Sequence, residues 1–171
     1  MGLSAYAAYW FLPVAIPISL YVAWNDMRIM KIPNSVNALL LCSYAILGLF
    51  ALPFDQYLWQ WLHAPVVLVV GVLIWGLKLG IGAGDVKFMT AASPMISADD
   101  WYFFLVLYIS CLLASVFTVF LAKLSPLRKL SPDWKSLEAG EDPRWYKTRL
   151  PKGLALGGAL SFYLLLVAIY R

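Results

Sequence analysis

Apolar residues along this chain gather in long runs separated by short polar stretches. A helix needs about 20 apolar residues to cross roughly 30 Å of hydrocarbon, where the backbone must satisfy its own hydrogen bonds, so each run reads as a helix. Six are predicted, at 5–24, 35–53, 62–79, 84–96, 101–123 and 153–170. The fourth is the odd one. It carries Asp85 and Lys87 near its start and is too short to span alone unless 80–84 adds depth. The fold class that follows is all-α, a polytopic membrane protein of six transmembrane helices.

Composition agrees. Hydrophobic residues make up 63% of the 171 positions and charged residues 13%, against roughly 25% charged in an ordinary soluble domain. Eight tryptophans, ten tyrosines and nine phenylalanines leave too little polar surface for a globule in water, but suit one surrounded by lipid. No polar stretch is long enough for a second soluble domain, so residues 1–171 are expected to form a single transmembrane domain. The segment 124–152 mixes four prolines with both charge signs and reads as a loop within it. Residues 1–9 carry no charge and no small-residue cleavage site follows the first run, so that run is expected to remain as a span rather than a removed signal. Cys42 and Cys111 each sit inside an apolar run without metal or redox spacing, and read as packing residues.

A net charge of +4 on its own is compatible with a nucleic-acid partner, but in a membrane protein the placement of Lys and Arg matters more than their sum. Arg28, Lys31, Lys78, Lys87 and eight cations from Lys123 to Lys152 fall on one side of the predicted topology; only Arg171 falls on the other. The loops around Asp55 and around Asp99 and Asp100 carry none. Cytoplasmic loops retain such cations, so both termini are expected outside, with the lipid bilayer rather than nucleic acid as the surrounding partner. Trp10, Trp59, Trp61, Trp101 and Tyr102 near span ends fit an interfacial belt.

Most acids lie in loops, but Asp26 and Asp85 adjoin spans at the same, cytoplasmic, face. An Asp at the centre of a spanning helix costs on the order of 3 kcal/mol, and less near the interface, so each has a bland reading: Asp26 ends its helix in water and Asp85 caps the start of the fourth apolar run. Their surroundings argue for more. Around Asp85 the chain reads Gly82-Ala83-Gly84-Asp85-Val86-Lys87, where glycines let the backbone bend and another chain come close. Around Asp26 it reads Asp26-Met27-Arg28-Ile29-Met30-Lys31-Ile32-Pro33-Asn34, where Pro33 and Asn34 break one helix and start the next.

The pairing of D-x-R-x-x-x-I-P-N after the first span with GAGDVK at the fourth resembles the type IV prepilin peptidases, GxGD aspartic intramembrane proteases, and most of all their short Flp/Tad-pilus branch. A third match is Pro151-Lys152-Gly153 before the last span, where Lys152 stands in place of the family's usual aromatic residue. The resemblance implies a catalytic pair, Asp26 and Asp85, working on a water; Gly82, Gly84 and Lys87 beside the substrate; and Arg28, Pro33, Asn34, Pro151 and Gly153 as structural motif. It implies a prepilin or pseudopilin substrate, cleaved at the cytoplasmic face of the bacterial inner membrane to remove its basic leader. Larger members add a cysteine-rich segment associated with N-methylation; this chain has no such segment, so peptidase activity is expected, without evidence for methyl transfer. Neither cofactor nor metal is expected: His63 is the only histidine and reads as interfacial, and no H-E-x-x-H or G-x-S-x-G motif occurs.

Two carboxyl groups sharing a proton can activate water and protonate a leaving amine, the pair titrating as a unit. Lys87 could tune the charge near Asp85 or simply mark the cytoplasmic side, as Arg28 and Lys31 do. Asp133, Glu138, Glu141 and Asp142 could attract a basic leader, although a solvated mixed-charge loop explains them as well. Two rival readings stand: a small proton- or cation-coupled transporter, whose acids and glycine-broken helix would form a binding site, and a non-catalytic scaffold of a pilus or secretion assembly.

Overall fold

The computed structural model describes residues 2–124, 134 and 151–171, with no side-chain detail at 123 and 124. Every regular element among them is helical: α1 (Ala5–Ile29), α2 (Asn34–Ala51), α3 (Phe54–Trp61), α4 (His63–Gly76), α5 (Ala83–Ala92), α6 (Trp101–Leu124) and α7 (Lys152–Tyr170). Among the described residues five stretches are long and apolar enough to cross a membrane: α1, α2, α3 with α4 as Phe54–Gly76, α6 with its lead-in as Ala98–Ala122, and α7. The segment 124–152, read from sequence as a loop, lies outside the described residues except for Trp134, which meets Trp24 edge-on, and the start of α7.

The first helix extends five residues beyond the apolar run that predicts it. Ser4 caps its start by accepting from the Ala7 N–H, and at its end Met30 turns left-handed (φ 57°) with its N–H bonded to the Asp26 carbonyl. Asp26 therefore lies inside the last turn of α1 and is buried, 6% exposed. The expectation that it ends the helix in water is corrected. Similarly, the third apolar run begins at Phe54 rather than at 62, because Asp55, Gln56 and Gln60 dilute its hydropathy while Tyr57 and Gln60 still face the interior.

The fourth apolar run forms only a ten-residue helix, α5, about 15 Å long at 1.5 Å per residue. Ser93 and Pro94 end it in a short 3₁₀ turn, and a second such turn covers Ala98–Asp100. Pro94 has no N–H to continue the helical ladder.

The bundle is organised about α1 and α7, which pack antiparallel along their whole length. Small residues make this possible: a Cβ on Gly157 would lie 2.8 Å from the Ser19 carbonyl oxygen, and Ala7, Ala8, Ala15, Ala155 and Ala159 are buried nearby in the same two helices. Helix α2 packs on α1, α6 on α7, and α5 fills the space between α2, α4 and α7.

One end of the α1–α7 pair is marked by Asp26 beside Gly153 and the other by Leu3 beside Arg171. At the Leu3 end Asp100 is buried, 2% exposed, and accepts from the Leu3 N–H (3.2 Å), the Tyr163 hydroxyl (2.9 Å) and both Arg171 nitrogens (2.8 and 2.6 Å). Arg171→Ala leaves that carboxylate buried without its cation. Because the Arg171 side chain is partly open to solvent, the expected loss is on the order of 2 kcal/mol, read as a lower thermal unfolding midpoint of the purified protein.

Candidate active site

The two acids singled out by their sequence context are each held at a helix N-terminus. The first N–H groups of a helix have no partner within it and carry the positive end of its dipole, so a carboxylate is favoured there. Asp26 takes up that position against α7: its Oδ2 accepts the Gly153 N–H at 2.6 Å, in a buried contact between residues 127 positions apart. Pro151, which has no N–H, precedes the helix and offers no side-chain cap, so the aspartate of α1 acts as the capping group.

Gly153 is required for this contact. A Cβ built there would lie 2.8 Å from the Asp26 Cβ and 3.0 Å from its Cγ and Oδ2, closer than packed atoms allow. The sequence motif Pro151-Lys152-Gly153 thus supplies a missing donor, a cation and a missing side chain at the point where α7 meets the acid.

Asp85 occupies the third position of α5, not its cap. Gly82 is the cap residue, and the Asp85 Oδ2 reaches back to accept the Gly82 N–H at 3.0 Å. The expectation that Asp85 is itself the cap is corrected, although its carboxylate does satisfy a donor at that helix end. Gly84 faces Ile32, whose Cβ would stand 3.5 Å from an added Cβ, so the connection between α1 and α2 lies close against α5. Lys87 donates to Asn34 Oδ1 at 3.0 Å, fastening α5 to the first residue of α2. The Asn34 side of one motif and the Lys87 side of the other therefore touch directly. Pro33 is the cap residue of α2, and Arg28 is exposed on the last turn of α1.

These supports bring the acids together. Asp85 lies within charge–charge range of Asp26, and Lys152 lies within range of both. Among the described residues, the cation that acts on both carboxylates is Lys152, while Lys87 is engaged with Asn34. Sequence reasoning noted Lys152 only as a departure from a pattern; its position next to Gly153 was the available signal. Tyr108 of α6 also lies within charge range of Asp85, and it was missed because a tyrosine within an apolar span looks like packing.

Chemically, the arrangement sets two carboxyl groups within charge range of one another, each with one oxygen anchored by a backbone N–H, and an ammonium within range of both. Asp85 also forms part of the wall of a cavity of about 750 Å³ lined otherwise almost wholly by apolar side chains of α4, α5 and α6.

A family model described as the type IV leader peptidase family matches residues 13–119, more than half of the chain. The matched region contains both acids and ends before Pro151-Lys152-Gly153. No curated protein sequence and no solved structure matches.

Proposed function

Since the chain belongs to the type IV leader peptidase family, we propose that it is an intramembrane aspartic endopeptidase that uses Asp26 and Asp85 to remove the leader of a Flp-type prepilin at the cytoplasmic face of the bacterial inner membrane. The observation that carries this reading is that two buried or half-buried carboxylates from separate sequence motifs, Asp26 bonded to the N-terminus of α7 and Asp85 to that of α5, lie within charge range of each other and of Lys152. Membership of a peptidase family also speaks against the transporter and scaffold readings of the same acids.

In the proposed reaction one carboxylate takes a proton from the water between them as its oxygen attacks the carbonyl carbon of the scissile peptide. The other, protonated, carboxyl donates a hydrogen bond to the carbonyl oxygen. The tetrahedral adduct then collapses: the C–N bond breaks, a proton passes to the leaving amine, and the pair returns to its singly protonated state. Which acid is base at a given step is a property of the pair. The two helix N-termini and Lys152 stabilise negative charge that burial and mutual repulsion oppose, so one member can remain ionised.

The topology proposed with it has six crossings and both termini outside, residues 1–171 forming one peptidase domain. An even number of crossings is supported by the bond from Arg171 to the Leu3 carbonyl, which brings the two ends of the chain to one face of the bundle. The sixth crossing is the broken path from α5 through Asp100, between the Asp26 end and the Leu3 end. The inner assignment of the Asp26 end rests on the Lys and Arg residues gathered there.

The direct experiment incubates the purified protein with a prepilin precursor and reads the products by mass. Two fragments, the basic leader ending in glycine and the mature pilin, are expected; an intact precursor under conditions where the enzyme stays folded contradicts the reading.

A further inference from the structure

The apolar cavity beside Asp85 has a direction. Its walls are Val66, Val67, Val70 and Ile74 of α4, Val86 and Met89 of α5, and Leu105 and Tyr108 of α6. At the end away from Asp85 it is lined by Trp59, Leu62, His63 and Trp101, the last two with rings meeting edge-on at 5.8 Å between centroids. Beyond that pair α4 and α6 go separate ways: α4 packs on α5, and α6 packs on α7. Among the described residues no extended interface joins α4 to α6, and the lining residues Val66, Val70 and Leu105 are exposed, so the cavity is open between the two helices.

Whatever fills this space has one end at Asp85. From His63 to Ile74, α4 rises about 16 Å, the length of three turns of helix. Apart from Asp85, the polar groups on the wall are those of His63, Tyr108 and the two indoles, and the rest are aliphatic side chains and Gly71. A peptide segment placed there must therefore be apolar and must satisfy its own backbone hydrogen bonds, which in lipid means a helix.

We propose that this cavity is the seat of the substrate: about three helical turns of the apolar segment that follows the cleaved bond enter laterally between α4 and α6, with the scissile peptide beneath Asp85 and the His63–Trp101 pair limiting the depth. This rests on the peptidase reading above and extends it by assigning the surface that selects the substrate. A lipid acyl chain, the other apolar occupant available, would share the walls but would have no group to present to the carboxylate.

The test uses two synthetic substrates with the same leader and cleavage junction, one continuing into about 20 apolar residues and one ending in a short polar tail. The intact enzyme in detergent micelles is expected to favour the apolar substrate in kcat/KM. Val66→Trp and Leu105→Trp, which fill the cavity from opposite walls, should each reduce that preference tenfold or more, mainly through KM. Leu39→Trp, on the exposed side of α2, should leave it unchanged. A benzophenone side chain introduced at Leu105 should crosslink to the apolar segment of a bound Asp26→Asn enzyme. Equal cleavage of both substrates by the wild type, a preference unmoved by both tryptophans, or crosslinks to lipid alone would overturn the cavity assignment while the peptidase reading stands. Cleavage of neither substrate by the wild type would overturn both.

Discussion

Asp26→Asn and Asp85→Asn are each expected to lower precursor processing by on the order of a thousandfold or more, with the protein still present in the membrane at normal levels. Asparagine keeps the shape of the side chain and its amide oxygen can still accept the N–H of Gly153 or Gly82, so the supports seen at both helix ends survive. What is lost is the shared proton. A lone carboxylate can still take a proton from water, but no second, protonated carboxyl remains to hydrogen-bond the carbonyl oxygen and stabilise the negative charge of the adduct. For groups that act as one unit the effects do not add, so the double variant should be no worse than either single one. Processing by either variant within tenfold of the wild type would remove the pair from the mechanism.

Gly153→Ala is expected to lower processing about tenfold, and Gly153→Val about a hundredfold, because a displacement near 1 Å of a reacting group costs that much. The added Cβ meets Asp26 at 2.8 Å from its Cβ, on a side chain held inside the last turn of α1. The helices cannot simply part, since Gly157 and Ser19 hold them in contact one turn further along. The aspartate must therefore swing away from the N-terminus of α7. The readout that separates this from unfolding is a thermal midpoint in detergent close to wild type alongside the lost activity. An alanine variant with full activity would show that the Asp26–Gly153 contact does not position the acid.

Much of this site is legible in the sequence. The two acids, the glycines before Asp85 and the Pro-Lys-Gly element each carry chemistry at a fixed local spacing, and local spacing is visible in one dimension. The long-range consequences are not. Hydropathy ends the first span at residue 24, whereas the helix continues because Asp26 finds a donor 127 positions away and no longer needs water. Asp100 reads as one of two acids in an outer loop until Arg171 and Tyr163, both far along the chain, bury it. Lys152 comes within charge range of both acids only because α7 starts where α1 ends. The fourth apolar run has the composition of a short span, yet Pro94 stops its helix after ten residues, and the rest of the path depends on where the two 3₁₀ turns find room beside α4 and α7.

The central claim is that Asp26 and Asp85 stand close enough to share one water. It is tested most directly by placing cysteines at 26 and 85 in a background with Cys42 and Cys111 replaced by alanine, then treating membranes with a short bifunctional thiol reagent. The account predicts an intramolecular crosslink between 26 and 85, seen as a linked peptide pair by mass spectrometry, and none between cysteines at 26 and 100, which lie at opposite ends of the bundle. Efficient labelling of both cysteines at 26 and 85 without any crosslink would contradict it.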